Sequence, residues 1–254
     1  MKMKKILITG YKGLIGSQLY FYFNNSNMYD AIGIDRGDNI PNDSFDIIIH
    51  CASNCIVRDV IKYPHLAKKN IDYSEIIINK ALKDSSFLFA FSSSRVACVE
   101  NPYTVSKKFI EQKCEAYKNC YGLKYVIIRP ETVWGMQEKN KRVMKIWIEN
   151  ILNEKEVIVY GDEYKQLSPI SVYDFCDTFI SIFNNKESYI HSKISISGDI
   201  IKVKDILNSI AEYFDKSIKI KFLSPELTQP QKCIRADIVV QRRIKDQLDQ
   251  MNFF

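Results

Sequence analysis

Along the first half of the chain, short apolar runs bounded by turn residues alternate with longer stretches whose apolar positions recur at helical spacing. The runs at 5–8, 31–34, 46–49, 87–91 and 125–128 are nearly continuously apolar, the pattern of strands buried on both faces of a parallel sheet. The stretches at 14–24, 57–82 and 103–121 predict helices. Strand and helix in strict alternation predict an α/β fold with a Rossmann-like, doubly wound parallel sheet. After Arg129 the pattern loosens. It predicts a helix over 141–152, a strand at 157–159, a helix over 174–183, a strand at 193–197, a helix over 203–214, a strand at 218–222 and a last helix from about 237. The expected organisation is a Rossmann-like domain over 1–165, rejoined by 168–198. A small C-terminal α/β lobe from about 131–167 and 199–254 sits on the same sheet.

Hydrophobic residues make up 46% of the 254 positions, enough for a packed core and contrary to a disordered chain. The net charge is +6, but the lysines are spread along the chain and form no nucleic-acid-binding stripe. The positive balance suits an anionic substrate. The seven cysteines are irregularly spaced, with no second pair or histidine partner at a zinc spacing, so free thiols in a reducing compartment are expected and no metal is. No segment approaches the roughly 18 apolar residues of a membrane span. No signal-like stretch precedes the first strand, and a cytoplasmic location follows as an expectation.

The first candidate chemistry lies at Thr9–Gly16, where glycines 10, 13 and 16 fall between a strand and a helix. Gly10 permits a tight turn, Gly13 bares the backbone where a pyrophosphate approaches, and Gly16 lets the helix sit close to the strand. The first helical turn, with Leu14 and Ile15, offers N–H groups and a positive dipole end to an anion. Asp35 ends the second strand and is placed to accept bonds from ribose hydroxyls, which favours NAD. Arg36 follows it and suits a 2′-phosphate, so NADP stays open.

Tyr103 and Lys107 stand four apart at the start of a predicted helix, on one face. A free tyrosine, with a pKa of about 10, is a poor base at neutral pH. Bringing it down by roughly three units requires about 4 kcal/mol of differential interaction. A neighbouring ammonium and an oxidised nicotinamide are the expected source. Ser92-Ser93-Ser94 ends the fourth strand, on the side of an open α/β sheet where ligands bind. A serine hydroxyl there steadies a reacting oxygen as charge develops.

Together these residues resemble the extended short-chain dehydrogenase/reductases, the NAD-dependent epimerase/dehydratase family. His50-Cys51-Ala52-Ser53 is similar to that family's His-x-Ala-Ala turn. Asn70-Ile71 resembles its Asn-Val helix segment, and Ser92–Val96 its serine-rich strand end. Tyr103 and Lys107 match its Tyr-x-x-x-Lys pair. Arg129-Pro130 through Trp134-Gly135 resembles the segment that opens its substrate lobe, and Val159–Asp162 and Val172–Asp174 resemble its later signatures. The resemblance implies Ser93, Tyr103 and Lys107 as catalytic residues. Around NAD it places Gly10, Tyr11, Gly13, Leu14, Ile15, Asp35, Arg36, Asp38, Cys51, Ala52, Ser53, Asn70, Tyr103, Lys107, Arg129 and Pro130. Toward a nucleotide-sugar substrate it places Ser94, Thr132 and Arg235. It also implies a homodimer packed through the helices near 62–82 and 103–121.

The departures carry information. Asp35 and Asp46 are so close that one strand–helix unit of the family is missing, with Asp38 in place of its adenine-contacting Asp. Leu167 stands where relatives place a phosphate-binding arginine, and Thr132 replaces a common Asn. Dehydratases and decarboxylases of the family carry an acid just after the catalytic hydroxyl residue, where this chain has Ser94 and Arg95. That leaves an epimerase acting through transient hydride removal, at C4 of the sugar, as the preferred expectation. The alternative is a reductase of 4-keto-6-deoxy sugars. A non-catalytic nucleotide sensor is the reading from a different class. It would work unchanged with Tyr103→Phe.

Overall fold

The computed structural model describes residues 3–224 and 235–251. The first half runs β1 (Lys4–Thr9), α1 (Leu14–Asn24), β2 (Tyr29–Ile34), β3 (Ile47–His50), α2 (Val57–Lys62), α3 (His65–Asp84), β4 (Phe87–Phe91), α4 (Pro102–Tyr121) and β5 (Tyr125–Pro130). The second half runs β6 (Thr132–Trp134), α5 (Val143–Leu152), β7 (Val157–Tyr160), β8 (Gln166–Leu167), β9 (Pro169–Ser171), α6 (Val172–Asn184) and β10 (Lys193–Gly198). It closes with β11 (Ile201–Lys202), α7 (Val203–Tyr213), β12 (Ile220–Leu223), β13 (Ile238–Val240) and α8 (Ile244–Asp249).

Seven strands form one sheet in the order β13-β10-β5-β4-β3-β1-β2, every pair parallel. The continuous apolar runs are explained by burial on both faces. On one face α1 and α6 bury Phe23, Phe175, Phe179 and Phe183 against Ile6, Ile8 and Phe89. On the other, α3 and α4 bury Ile77, Ile78, Ile110 and Cys114 against Leu7, Ile48, Leu88 and Ile127. A separate core around Trp134, Trp147, Val157, Ile206 and Leu248 unites α5, α7, α8 and the parallel β7–β12 pair. Trp134 and Trp147 are both buried there, their indole N–H groups donating to Gln247 and to the Ile158 carbonyl.

Three expectations change. The helix over 57–82 is two helices, because Pro64 drives Tyr63 out of the helical region (φ −125, ψ 81). The chain near 237 forms β13, not a helix. The run Ile238-Val239-Val240 suits a strand, and it pairs with β10 as the sheet's edge. β6, β8, β9 and β11 span two or three residues each, too short for a period to register. Residues 35–46 cross from β2 to β3 without a helix, so β2 ends the sheet where a further strand–helix unit would extend it.

Candidate active site

The glycine loop leaves β1 at Thr9 and separates two demands. Gly10 has φ +74, and a Cβ there would lie 2.8 Å from the Ala52 nitrogen. A Cβ on Gly16 would lie 2.2 Å from the Gly10 carbonyl oxygen. Both positions are fixed by backbone packing. Gly13 is different: an added Cβ would meet only the Gly10 oxygen, at 3.1 Å, and its other side borders the cavity described below. No side chain caps α1 and no acid sits in its first turn, so its orphan N–H groups are available to an anion. Tyr11 turns away and packs over Gly33 and against Tyr20.

Asp35 accepts the N–H groups of Arg36 at 2.7 Å and Lys12 at 3.3 Å, which ties the end of β2 to the glycine loop. The Arg36 guanidinium is drawn aside to Asn54 at 2.6 Å. Asp38 closes the turn by accepting the Asp35 N–H. At the end of β3, His50 is buried between Thr9 and Ser74 hydroxyls, at 2.8 and 2.9 Å. Burial, with Lys107 nearby, pushes its pKa down to about 3, so it is a neutral strut beneath the Cys51–Ser53 turn. Asn70 is committed to the same loop: its amide takes the Asn54 N–H at 2.7 Å and donates to the Asn54 carbonyl.

The start of α4 is written locally. Asn101 and Thr104 form a reciprocal capping box and Pro102 occupies the first turn. This fixes where the helix begins and sets Tyr103 and Lys107 one turn apart, both buried. Tyr103 and Ser93 border the same cavity. Lys107 donates to the Phe91 carbonyl at 3.2 Å and lies 5.9 Å from the Tyr103 ring centre. Burial pulls the Lys107 ammonium down to about 8, against Cys55 and Cys51. In the chain itself burial raises the Tyr103 phenol. The groups that oppose this rise are Ser93, Arg95 and Arg142, rather than Lys107.

These groups share one cavity of about 1180 Å³, above the roughly 300–1,000 Å³ of a single drug-sized site. It has room for two ligands end to end. The sequence-derived residues border it with five exceptions, Tyr11, Asp38, Ser94, Arg129 and Arg235. Arg129 forms a bidentate pair with Glu111 of α4, at 2.9 and 2.6 Å, so its side chain serves the α4–β5 packing. Ser94 is buried behind the site, and Arg235 is exposed.

Sequence reasoning passed over Asn54, Arg95, Glu131 and Arg142, all of which border the cavity. Arg95 was legible, two positions after Ser93. Glu131 lies between two residues that were singled out, Pro130 and Thr132. Arg142 is brought in only by tertiary structure, anchored by Glu138 and by the Val133 carbonyl. Among the described residues no cluster of metal-ligating side chains occurs, and no helix is long and apolar enough to cross a membrane.

The structure is similar to that of UDP-glucuronic acid 4-epimerase from Bacillus cereus, in complex with UDP-glucuronic acid and NAD. The TM-score is 0.81 at 19% identity, covering 96% of this chain and 92% of that one. It is also similar to UDP-glucose 4-epimerase from Thermotoga maritima with UDP-glucose, at a TM-score of 0.78, 20% identity and coverage of 91% and 89%. In sequence it is 23% identical over 260 residues to an uncharacterized UDP-glucose epimerase of Bacillus subtilis, YtcB, covering 82% of each chain. The family model of the NAD dependent epimerase/dehydratase family matches residues 6–196, and the chain therefore belongs to that family.

Proposed function

We propose that the protein is an NAD-dependent nucleotide-sugar epimerase that inverts C4 through a transient ketone. The observation that carries this reading is the convergence of Ser93, Tyr103 and Lys107 in one cavity with the glycine loop. The relatives' substrates support the nucleotide-sugar class. The bare backbone at Gly13, the uncapped α1 and the Asp35 carboxylate fit a dinucleotide. Arg36, engaged by Asn54, favours NAD over its 2′-phosphorylated form.

Bound NAD supplies the acceptor for a hydride leaving the sugar carbon. The protein handles the proton. Tyr103 takes it from the C4 hydroxyl as the carbonyl forms and returns it on reversal. Ser93, which borders the cavity with Tyr103, presents a donor to the same oxygen. Arg95 and Arg142 favour the phenolate, and the backbone bond of Lys107 to Phe91 holds its ammonium on the Tyr103 face of α4. Trp134 and Trp147, at the edge of the lobe core, line this end of the cavity.

Purified protein denatured by acid should release NAD, identified by mass. UDP-, GDP-, CDP- and dTDP-sugars should then be screened for C4 isomers without added reductant. Release of NADP, or dependence on added NADPH with reduction of a 4-keto sugar, would replace this reading with the 4-ketoreductase.

A further inference from the structure

Among the described residues, the cations that border the cavity and are withdrawn from solvent are Arg95, Lys107, Arg142 and Lys165. Three of them are tied to the protein. Lys107 donates to the Phe91 carbonyl, Arg142 to Glu138 and the Val133 carbonyl, and Lys165 to the Tyr160 carbonyl. The half-buried Arg95 guanidinium has no hydrogen bond or salt bridge to any described residue. Its backbone, by contrast, is fixed. The Ser93 hydroxyl oxygen accepts the Arg95 N–H at 3.3 Å and caps the single 3-10 turn Ser94–Ala97. The Arg95 charge acts on the Tyr103 phenol, so it lies at the reacting end of the cavity. The nearby acid, Glu131, makes no salt bridge with it; burial raises the pKa of that carboxyl, against Ser94 and Arg95. A charge held partly out of water without a partner is costly to the protein alone, and an anion entering the cavity would relieve that cost.

We infer that Arg95 is a specificity-determining residue that receives a carboxylate of the substrate, and that the preferred substrates are nucleotide-linked uronic acids. The inference rests on the proposed epimerase reading for the orientation of the sugar. In that reading Ser93 and Tyr103 meet the oxygen on C4. In a hexose ring the neighbouring C5 carries C6, which is a neutral CH2OH in glucose and a carboxylate in glucuronic acid. The diphosphate hangs from C1, across the ring from C4 and away from Ser93. Arg95, bonded through its backbone to Ser93, is therefore nearer the C6 group than the diphosphate. A guanidinium is a planar fork that matches a carboxylate with two parallel hydrogen bonds. A CH2OH group at the same place offers no charge, and the guanidinium would stay unpaired.

The test reads binding, so that it stands apart from turnover. Calorimetry on the purified protein supplemented with NAD compares matched pairs, glucose and glucuronic acid carried on UDP, dTDP, GDP and CDP. C4 inversion is followed by NMR in the same samples. On the carrier that binds, wild-type protein should hold the acid at least about tenfold more tightly than the neutral sugar, a preference read without any variant. Arg95→Gln should bring the two sugars to equal affinity. Arg95→Lys, which keeps the charge and loses the fork, should retain part of the preference. The ratio is the readout because the effect of Arg95 on Tyr103 is common to both sugars. No preference for the acid in any pair would overturn the inference, as would a preference that survives Arg95→Gln. Equal weakening of both sugars by Arg95→Gln would also overturn it, and would make the shared diphosphate the anion that Arg95 meets. An acid held in preference but not inverted would count against the epimerase reading alone.

Discussion

The two ends of the cavity are built on different principles. At the glycine loop the backbone is the functional group. Gly10 and Gly16 are required because any Cβ would strike Ala52 or the Gly10 carbonyl. Gly13 is required only by what approaches from the cavity. At the other end the backbone is a scaffold and side chains do the chemistry. Ser93 comes from the end of β4, Tyr103 and Lys107 from the first turns of α4 and Arg142 from the entry to α5. Changes at the first end should therefore disturb fold and binding together, whereas changes at the second should remove turnover from a folded protein.

The largest expected effect is at the second end. Tyr103→Phe removes the proton acceptor but keeps the buried ring, so turnover should fall by about 10³-fold while the melting temperature and NAD content stay near wild type. A sensor would keep its response. Gly16→Ala comes next. Its methyl cannot clear the backbone of Gly10, so we expect loss of about 3 kcal/mol of stability, read as a melting temperature lower by roughly 10 °C, and at least 100-fold weaker NAD binding by calorimetry. Gly13→Ala sharpens the contrast. It should weaken NAD binding about tenfold with the melting temperature nearly unchanged, and equal destabilisation by both alanines would refute the division of roles.

The smallest effect is in pH dependence. Below about pH 8 Lys107 is an ammonium; above it the positive charge beside the Tyr103 ring is lost. The kcat/KM profile should fall on its alkaline side near that value, and in Lys107→Arg, which stays charged, this limb should move up by a unit or more. An unmoved limb would assign it to another group.

Legibility followed the same divide. The glycine loop could be read because steric demands are local: three of the nine glycines fall at one spacing between a strand and a helix. The strands β1, β3, β4 and β5 were legible because burial on both faces makes them nearly continuously apolar, whereas β2, at the sheet edge, is only half-buried. Tyr103 and Lys107 were legible from their spacing at the start of a predicted helix. The environment of Tyr103 was not. Its neighbours Arg95 and Arg142 are 47 positions apart in the chain, and no local pattern records that both reach one phenol. Glu131 was hidden for the same reason, since the β5–β6 turn meets the cavity only once the sheet has formed. Arg129 misled in the opposite direction: its partner Glu111 lies on a helix that the motif does not include.

The most direct test of the central claim follows the hydrogen on the reacting carbon. Protein loaded with NAD and supplied with UDP-glucose carrying deuterium at C4 should yield the C4-inverted sugar with the deuterium still at C4, because the hydrogen leaves and returns within one closed site. Inverted product with the label lost to water would contradict the account, as would an absence of inversion of every nucleotide sugar in the screen by protein shown to hold NAD.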